Sequence, residues 1–239
     1  MTSPTLTKVS AWSGLIYIAL TAIAWLLFLR IFPFPHAPTD SAEDITALFQ
    51  AHRLGMGVGA VLMMYSCFFA SLFGSLIIRL MMKLEGGLKL FSINLILAFS
   101  AFIVITFITS LFWGMAALRA DELTAVYIRL LNDIAGLNFF STAPAFMGMY
   151  IAIAWAALAP TNQEKNIFPR WYGYLNLWVL IALIPGAICL LVKTGPFAWN
   201  GLIVFWFAVF VFSFNYLISP KVFVLSLIHI SEPTRPLYI

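Results

Sequence analysis

The chain has 239 residues, of which 63% are hydrophobic and only 9% are Asp, Glu, Lys or Arg, and its formal net charge is +4. Soluble domains carry about 25% charged residues, so this composition excludes an ordinary soluble protein. The basic residues stand singly at the ends of apolar segments and form no patch, which argues against nucleic-acid binding.

Six apolar segments follow one another along the chain, each long enough to cross roughly 30 Å of hydrocarbon as a helix. The sequence therefore predicts an all-α integral membrane protein with six transmembrane helices in a single domain, residues 1–224. Pro144 lies inside the fourth segment and predicts a kink there. The predicted spans cover residues 11–31, 54–78, 88–118, 134–159, 172–192 and 201–218.

Two polar segments between the predicted spans have the pattern of short surface helices. The first begins after Asp40 or Ser41, either of which can accept hydrogen bonds from the free amides of a helix start. The second covers residues 119–133. The stretch AEDITALF (42–49) matches ADELTAVY (120–127), which suggests a parallel two-helix repeat; chance and common helix-start chemistry are the alternative explanation.

The distribution of Lys and Arg predicts the orientation of the chain. In a six-span arrangement, more of these residues lie on the side of both termini than on the opposite side. Because loops rich in Lys and Arg stay in the cytoplasm, we expect both termini there and both surface helices on the extracytoplasmic side.

The predicted spans contain no Asp, Glu, Lys or Arg near their centres. Proton-coupled carriers usually keep such a group at mid-membrane, so that activity is not favoured. Metal and cofactor motifs are absent from the sequence, and neither a metal nor a cofactor is expected. Gly55 and Gly59 form a GxxxG pattern, which predicts close helix packing within the protein or, alternatively, between two copies.

Polar and aromatic side chains collect on the predicted extracytoplasmic side, where the two surface helices would pack over the bundle. Apolar pockets with a few converging polar groups bind small molecules, so we predict a ligand-binding mouth there. Interfacial anchoring is the alternative, since Trp, Lys and Arg collect at this depth in membrane proteins generally, and Arg53 with Asp133 could form a purely structural ion pair. The predicted ligand-binding residues are His52, Arg53, Trp113, Asn132, Asp133, Asn138, Lys193, Trp199 and Asn200.

The stretch FPRWYGYLNLWVLIALIPGAICLLVKTGPFAWNG, residues 168–201, resembles a family of uncharacterised bacterial six-span integral membrane proteins. Residues 52–64 (HRLGMGVGAVLMM) and 129–140 (RLLNDIAGLNFF) are similar to the same family. The resemblance implies six spans in a bacterial cytoplasmic membrane. It implies no activity, cofactor or site.

The end of the chain has a different character. Residues 225–235, LSLIHISEPTR, resemble the translation of a sequencing adapter, so we interpret residues 225–239 as a non-native read-through tail. His229 and Glu232 in this tail are therefore left out of every candidate site.

Three functions are open on this basis, each with membrane lipids as the surroundings. The first is binding or transport of a hydrophobic or amphipathic small molecule or lipid. The second is a membrane enzyme acting on a lipid or quinone, with His52 as acid or base and Asp133 orienting it within hydrogen-bond distance. The third is a structural or regulatory membrane subunit.

Overall fold

The computed structural model describes residues 4–33, 36–165 and 167–231, and this part of the chain is all-helical without strands. Residues 232–239 of the predicted read-through tail lie outside the described residues, while the backbone of residues 225–231 continues the last helix. The helices are α1 (Pro4–Ile23), α2 (Ala42–Ala51), α3 (Arg53–Glu85), α4 (Leu90–Leu118), α5 (Ala125–Ser141), α6 (Gly148–Leu158), α7 (Pro160–Lys165), α8 (Arg170–Leu183) and α9 (Ala208–Ser231).

Short segments between or at the ends of these helices depart from α geometry. Ala24–Phe28 extends α1 as a π-helical turn, and Leu202–Phe207 leads into α9 in the same geometry. Ala143–Ala145 and Ile184–Leu190 are 3-10 helices. Pi-helical turns are often found at functional sites, so their position relative to any cavity is informative.

Within the described residues, five helical segments are long and apolar enough to cross a membrane, and they overlap five of the six predicted spans. Side chains on their outer faces, such as Leu97, Trp178 and Phe210, are exposed and apolar, as lipid contact requires. The fold is therefore compatible with a membrane protein. The five segments are Thr5–Phe28, Arg53–Glu85, Leu90–Leu118, Arg170–Leu190 and Leu202–Phe223.

The predicted fourth span, residues 134–159, is not a single kinked helix. α5 ends at Ser141 and α6 begins at Gly148, with Pro144 in the 3-10 turn between them. Proline has no amide N–H and its ring collides with the preceding helical turn, so the helix breaks here and then restarts. α6 is apolar but shorter than the five segments above. A sixth crossing therefore rests on α5 and α6 together.

The first surface helix begins as predicted. The Ser41 hydroxyl accepts a hydrogen bond from the Asp44 amide at 3.0 Å, and α2 then packs against α5. The matched stretch at residues 120–127 differs in conformation, because residues 120–124 form a turn and α5 begins only at Ala125. The two matched stretches thus share sequence but not structure, and the predicted repeat gains no support.

α3 and α4 form a hairpin closed by glycines and by one carboxylate. Gly86 and Gly87 have positive φ angles of 75° and 140°, which glycine adopts without the strain that other residues suffer. The Glu85 carboxylate accepts hydrogen bonds from the backbone amides of Phe91 (3.0 Å) and Ser92 (2.9 Å), which belong to the otherwise free start of α4.

Small residues let α1 and α3 pack closely. A Cβ atom at Gly59 would lie 2.8 Å from Leu29 Cγ and 2.9 Å from Phe28 Cβ, and a Cβ atom at Gly55 would lie 3.8 Å from Phe28 Cδ1. The GxxxG pattern therefore lies against the end of the α1 segment, within the protein. On the opposite face of the same helix, a Cβ at Gly57 would meet nothing within 4 Å.

Candidate functional site

The core of the bundle contains an apolar cavity of about 200 Å³, called here the large cavity. Aromatic and aliphatic side chains make up nearly all of its wall, and the lining residues that bear a hydroxyl group are Tyr17, Thr21 and Ser213. An engineered apolar cavity of about 150 Å³ binds benzene, so the volume suits a small apolar group. The lining residues are Tyr17, Ile18, Thr21, Ala22, Trp25, Leu26, Phe32, Phe102, Ile105, Phe139, Phe140, Ala143, Phe146, Ala182, Leu183, Gly186, Val204, Ala208, Val209, Phe212 and Ser213.

The large cavity opens sideways between the α1 segment and α9. Its inner wall is buried, whereas Ala22 and Leu26 on one side of the opening are exposed and Val209 and Ser213 on the other are half-buried. Each of the π and 3-10 segments in the described part of the chain contributes to the lining, and none of the lining residues carries a formal charge.

A second, much smaller cavity of about 20 Å³ lies on the predicted extracytoplasmic side and is called here the small cavity. Phe140 lines both cavities, and the ring of Phe205, which lines the small cavity, lies 5.3 Å from the Phe140 ring and 6.0 Å from the Trp25 ring. The two cavities are therefore neighbours, with aromatic rings at the wall that they share. The small cavity is lined by Ile31, His36, Trp113, Asn132, Gly136, Phe140, Trp199 and Phe205.

Hydrogen bonds around the small cavity join four parts of the chain. Asn132 Oδ1 lies 2.7 Å from His36 Nδ1 and accepts from Trp113 Nε1 at 3.1 Å. Trp199 Nε1 donates to the backbone oxygen of His36 at 2.7 Å. The loop after α1, helices α4 and α5, and the loop before α9 are thus tied together at this point.

This network assigns the tautomer of His36. Trp113 Nε1 can only donate, so the Asn132 atom facing it must be the amide oxygen, which also faces His36 Nδ1. His36 Nδ1 therefore carries the proton, and Nε2 is left with a lone pair. His36 Nε2 and Asn132 Nδ2 are both buried and lack a hydrogen-bond partner among the described residues.

Burial lowers the pKa of His36 below its usual value, while the Asn132 hydrogen bond, the nearby charge of Asp40 and the backbone oxygen of Leu29 act in the opposite direction. The imidazole is consequently neutral near pH 7. This agrees with the tautomer assignment, because a protonated ring would have no acceptor atom to offer.

Of the predicted site residues, the structure brings Trp113, Asn132 and Trp199 together at the small cavity. Asn138 lies deeper, where its Nδ2 donates to Ile105 O at 3.0 Å and to Thr109 Oγ1 at 2.9 Å, so it joins α5 to α4. Lys193 is exposed and Asn200 half-buried, and neither lines the two cavities.

The ion pair considered between Arg53 and Asp133 is not formed. Arg53 Nη1 instead lies 2.6 Å from Asp121 Oδ2, and Asp133 lies 3.7 Å from Arg129 one helical turn away. Burial raises the pKa of Asp133 against the opposing charges of Arg129 and Lys193.

His52 ends α2, lines neither cavity and makes no side-chain hydrogen bond with the described residues, so the proposed His52–Asp133 arrangement has no geometric support.

Sequence reasoning missed His36 and Phe140. His36 stands in a proline-rich loop, and its contact with Asn132 joins residues far apart in sequence, so no local pattern indicated it. The available signal was that a histidine between prolines, FPFPHAP, has its backbone position restricted and can present its ring at a fixed place.

The described residues define a class, an all-helical protein with five segments of membrane-crossing length, four of which line an apolar cavity. No protein-family model matches this chain, and no curated protein or solved structure is significantly similar to it.

Proposed function

We propose that this chain is a multi-pass membrane protein that binds or moves a hydrophobic or amphipathic small molecule or lipid in the large cavity. The observation that carries the proposal is the cavity itself, about 200 Å³ in volume, with an almost entirely apolar wall and a sideways opening between α1 and α9. In a membrane this opening faces lipid chains, so a hydrophobic molecule could enter without crossing water.

The proposal places the chain in the cytoplasmic membrane of a bacterium, with six crossings and both termini in the cytoplasm. α5 and α6 together would make the fourth crossing. The break between them is tolerable inside a bilayer because irregular backbone is stable where it is buried in protein or lines a cavity, and Ala143 and Phe146 line the large cavity.

The test is to block the opening and analyse the molecules that the purified protein retains. Ala22 is exposed and lines the cavity, so Ala22→Trp fills the opening without inserting a ring into the core. Ile23 is the matched control, because it is also exposed but does not line the cavity. We expect mass spectrometry to find a species enriched with the wild type and Ile23→Trp, and depleted with Ala22→Trp.

If all three proteins carry the same bulk membrane lipids, the proposal is wrong. A structural or regulatory subunit would then be the better interpretation, and co-purifying proteins would identify its partner.

A further inference from the structure

The unpartnered atoms at the small cavity specify what it can bind. His36 Nε2 offers a lone pair and Asn132 Nδ2 offers a hydrogen, and both are buried without a partner in the described parts of the chain. Buried polar atoms left unpaired are costly, so an occupant that satisfies both would be favoured. A hydroxyl group offers both kinds of partner, a hydrogen for Nε2 and an oxygen that can accept from Nδ2.

Size and charge restrict the occupant further. A volume of about 20 Å³ holds a single group of the size of one water molecule. The eight lining residues include no Asp, Glu, Lys or Arg. A carboxylate or phosphate would lack a counter-charge here, and an ammonium would find no carboxylate, so the occupant must be uncharged.

The neighbouring large cavity provides the remainder of the site. Phe140 forms part of both walls, and a rotation of its ring would join the two cavities. A molecule with an apolar body in the large cavity could then extend a polar end past Phe140 towards His36 and Asn132.

We propose that His36 and Asn132 bind the hydroxyl group of an uncharged amphipathic molecule whose apolar part occupies the large cavity. This inference rests on the proposed function and adds the chemical class of the ligand, a hydrophobic alcohol. The other occupant with the same hydrogen-bonding chemistry is a water molecule, and the experiment distinguishes the two.

The test compares two probes, dodecanol and dodecyl methyl ether, by native mass spectrometry of the full chain released from detergent. The ether has the same chain and an oxygen acceptor but cannot donate to His36 Nε2. We expect dodecanol to bind about tenfold more tightly, as the loss of one or two buried hydrogen bonds implies. If the two probes bind equally well, the small cavity holds only water and the inference is overturned, while the proposed function stands.

His36→Asn tests the atom itself. The asparagine amide nitrogen can replace Nδ1 as the donor to Asn132, but nothing replaces Nε2. We expect this variant to bind dodecanol about tenfold more weakly and to bind the ether unchanged. If His52→Asn shows the loss instead, the alcohol binds at the surface and the inference is wrong.

Folding failure of a variant would not leave the question open, because the ratio between the two probes in the wild type decides it alone. Blocking the opening tests the large cavity, on which both proposals depend. If Ala22→Trp binds both probes as well as the wild type does, the large cavity is not the binding site and both proposals fail together.

Discussion

His36 is a half-buried residue whose ring nitrogen Nε2 is buried, and the fold stabilises its neutral form. Its pKa is lowered in the folded protein, whereas the unfolded chain takes up a proton at about pH 6.5. Below that pH the unfolded state binds more protons than the folded state, so the stability present at neutral pH is progressively lost as the pH falls.

We therefore expect the melting temperature of the wild type to fall between about pH 7.5 and pH 5.5, and to fall less in His36→Asn. Asp133, with its raised pKa, acts in the opposite direction, since acidification relieves its buried charge. Its contribution is the same in both proteins and cancels in the comparison. Identical pH profiles would show that His36 is not buried as described.

Asn162 holds the connection between α6 and α8 by hydrogen bonds in both directions. Its side chain is buried; Nδ2 donates to the backbone oxygens of Ala157 (3.1 Å) and Phe168 (2.6 Å), and Oδ1 accepts from the amides of Ile167 (3.0 Å) and Phe168 (2.9 Å). Asn162→Ala leaves these buried backbone groups unpaired, and each group that no water molecule reaches costs about 1–3 kcal/mol of stability.

We expect Asn162→Ala to lower the free energy of unfolding by about 3 kcal/mol, measured by denaturant titration in detergent. Asn200→Ala is the control, because Asn200 is half-buried and forms no side-chain hydrogen bond with the rest of the described chain. A change below about 0.5 kcal/mol is expected there. Equal effects in the two variants would contradict the role assigned to Asn162.

At the scale of helices, the contact between α1 and α3 depends on which face of α3 carries a glycine. Replacing glycine by alanine inside a helix normally stabilises it by about 0.5–1 kcal/mol. At Gly57 the new methyl group meets open space, so Gly57→Ala should show this gain. At Gly59 the methyl group would overlap Leu29 and Phe28, so the helices must separate and Gly59→Ala should lose about 1–3 kcal/mol.

The two alanine substitutions thus change the free energy of unfolding in opposite directions, although they lie two residues apart on one helix. Thermal unfolding in detergent measures both. If Gly59→Ala is as stable as Gly57→Ala, the close approach of the two helices does not occur in solution.

The break between α5 and α6 matters at the scale of the whole molecule, because it decides how often the chain crosses the membrane. If the two helices make one crossing between them, both termini lie on the same side of the membrane, which the proposal takes to be the cytoplasm; if neither crosses, the termini lie on opposite sides. We expect a green fluorescent protein fused after residue 224 to fluoresce and alkaline phosphatase at the same position to be inactive. The reverse result would place the C-terminus outside and contradict the proposed topology.

Features that depend on local sequence were predictable for this fold. Apolar length predicts six segments, five of which are helices of membrane-crossing length in the structure, and Ser41 indicates a helix start. Pro144 was seen as a kink, but the packing of the neighbouring helices determines whether a proline bends a helix or breaks it, and the sequence does not contain that information directly.

The candidate site was predictable only in part, because its contacts join distant parts of the chain. Trp113, Asn132 and Trp199 were selected for their residue type and depth, and they do meet at the small cavity. His36 is the hydrogen-bond partner of Asn132 and Trp199, and Asp121 is the actual partner of Arg53; both pairings follow from how the loops fold over the bundle. Residue type and depth alone cannot specify such pairings.

The wall of the large cavity includes the least regular backbone of the fold. Trp25, Ala143, Gly186 and Val204 each come from a π or 3-10 segment, where the regular hydrogen-bond pattern of the α-helix is interrupted. Such segments can change shape through small dihedral adjustments, at lower cost than bending a continuous α-helix such as α3. The cavity is therefore suited to adapting its width. The selectivity of this protein for its ligand would then depend less on the width of the ligand than on the polar group at its end.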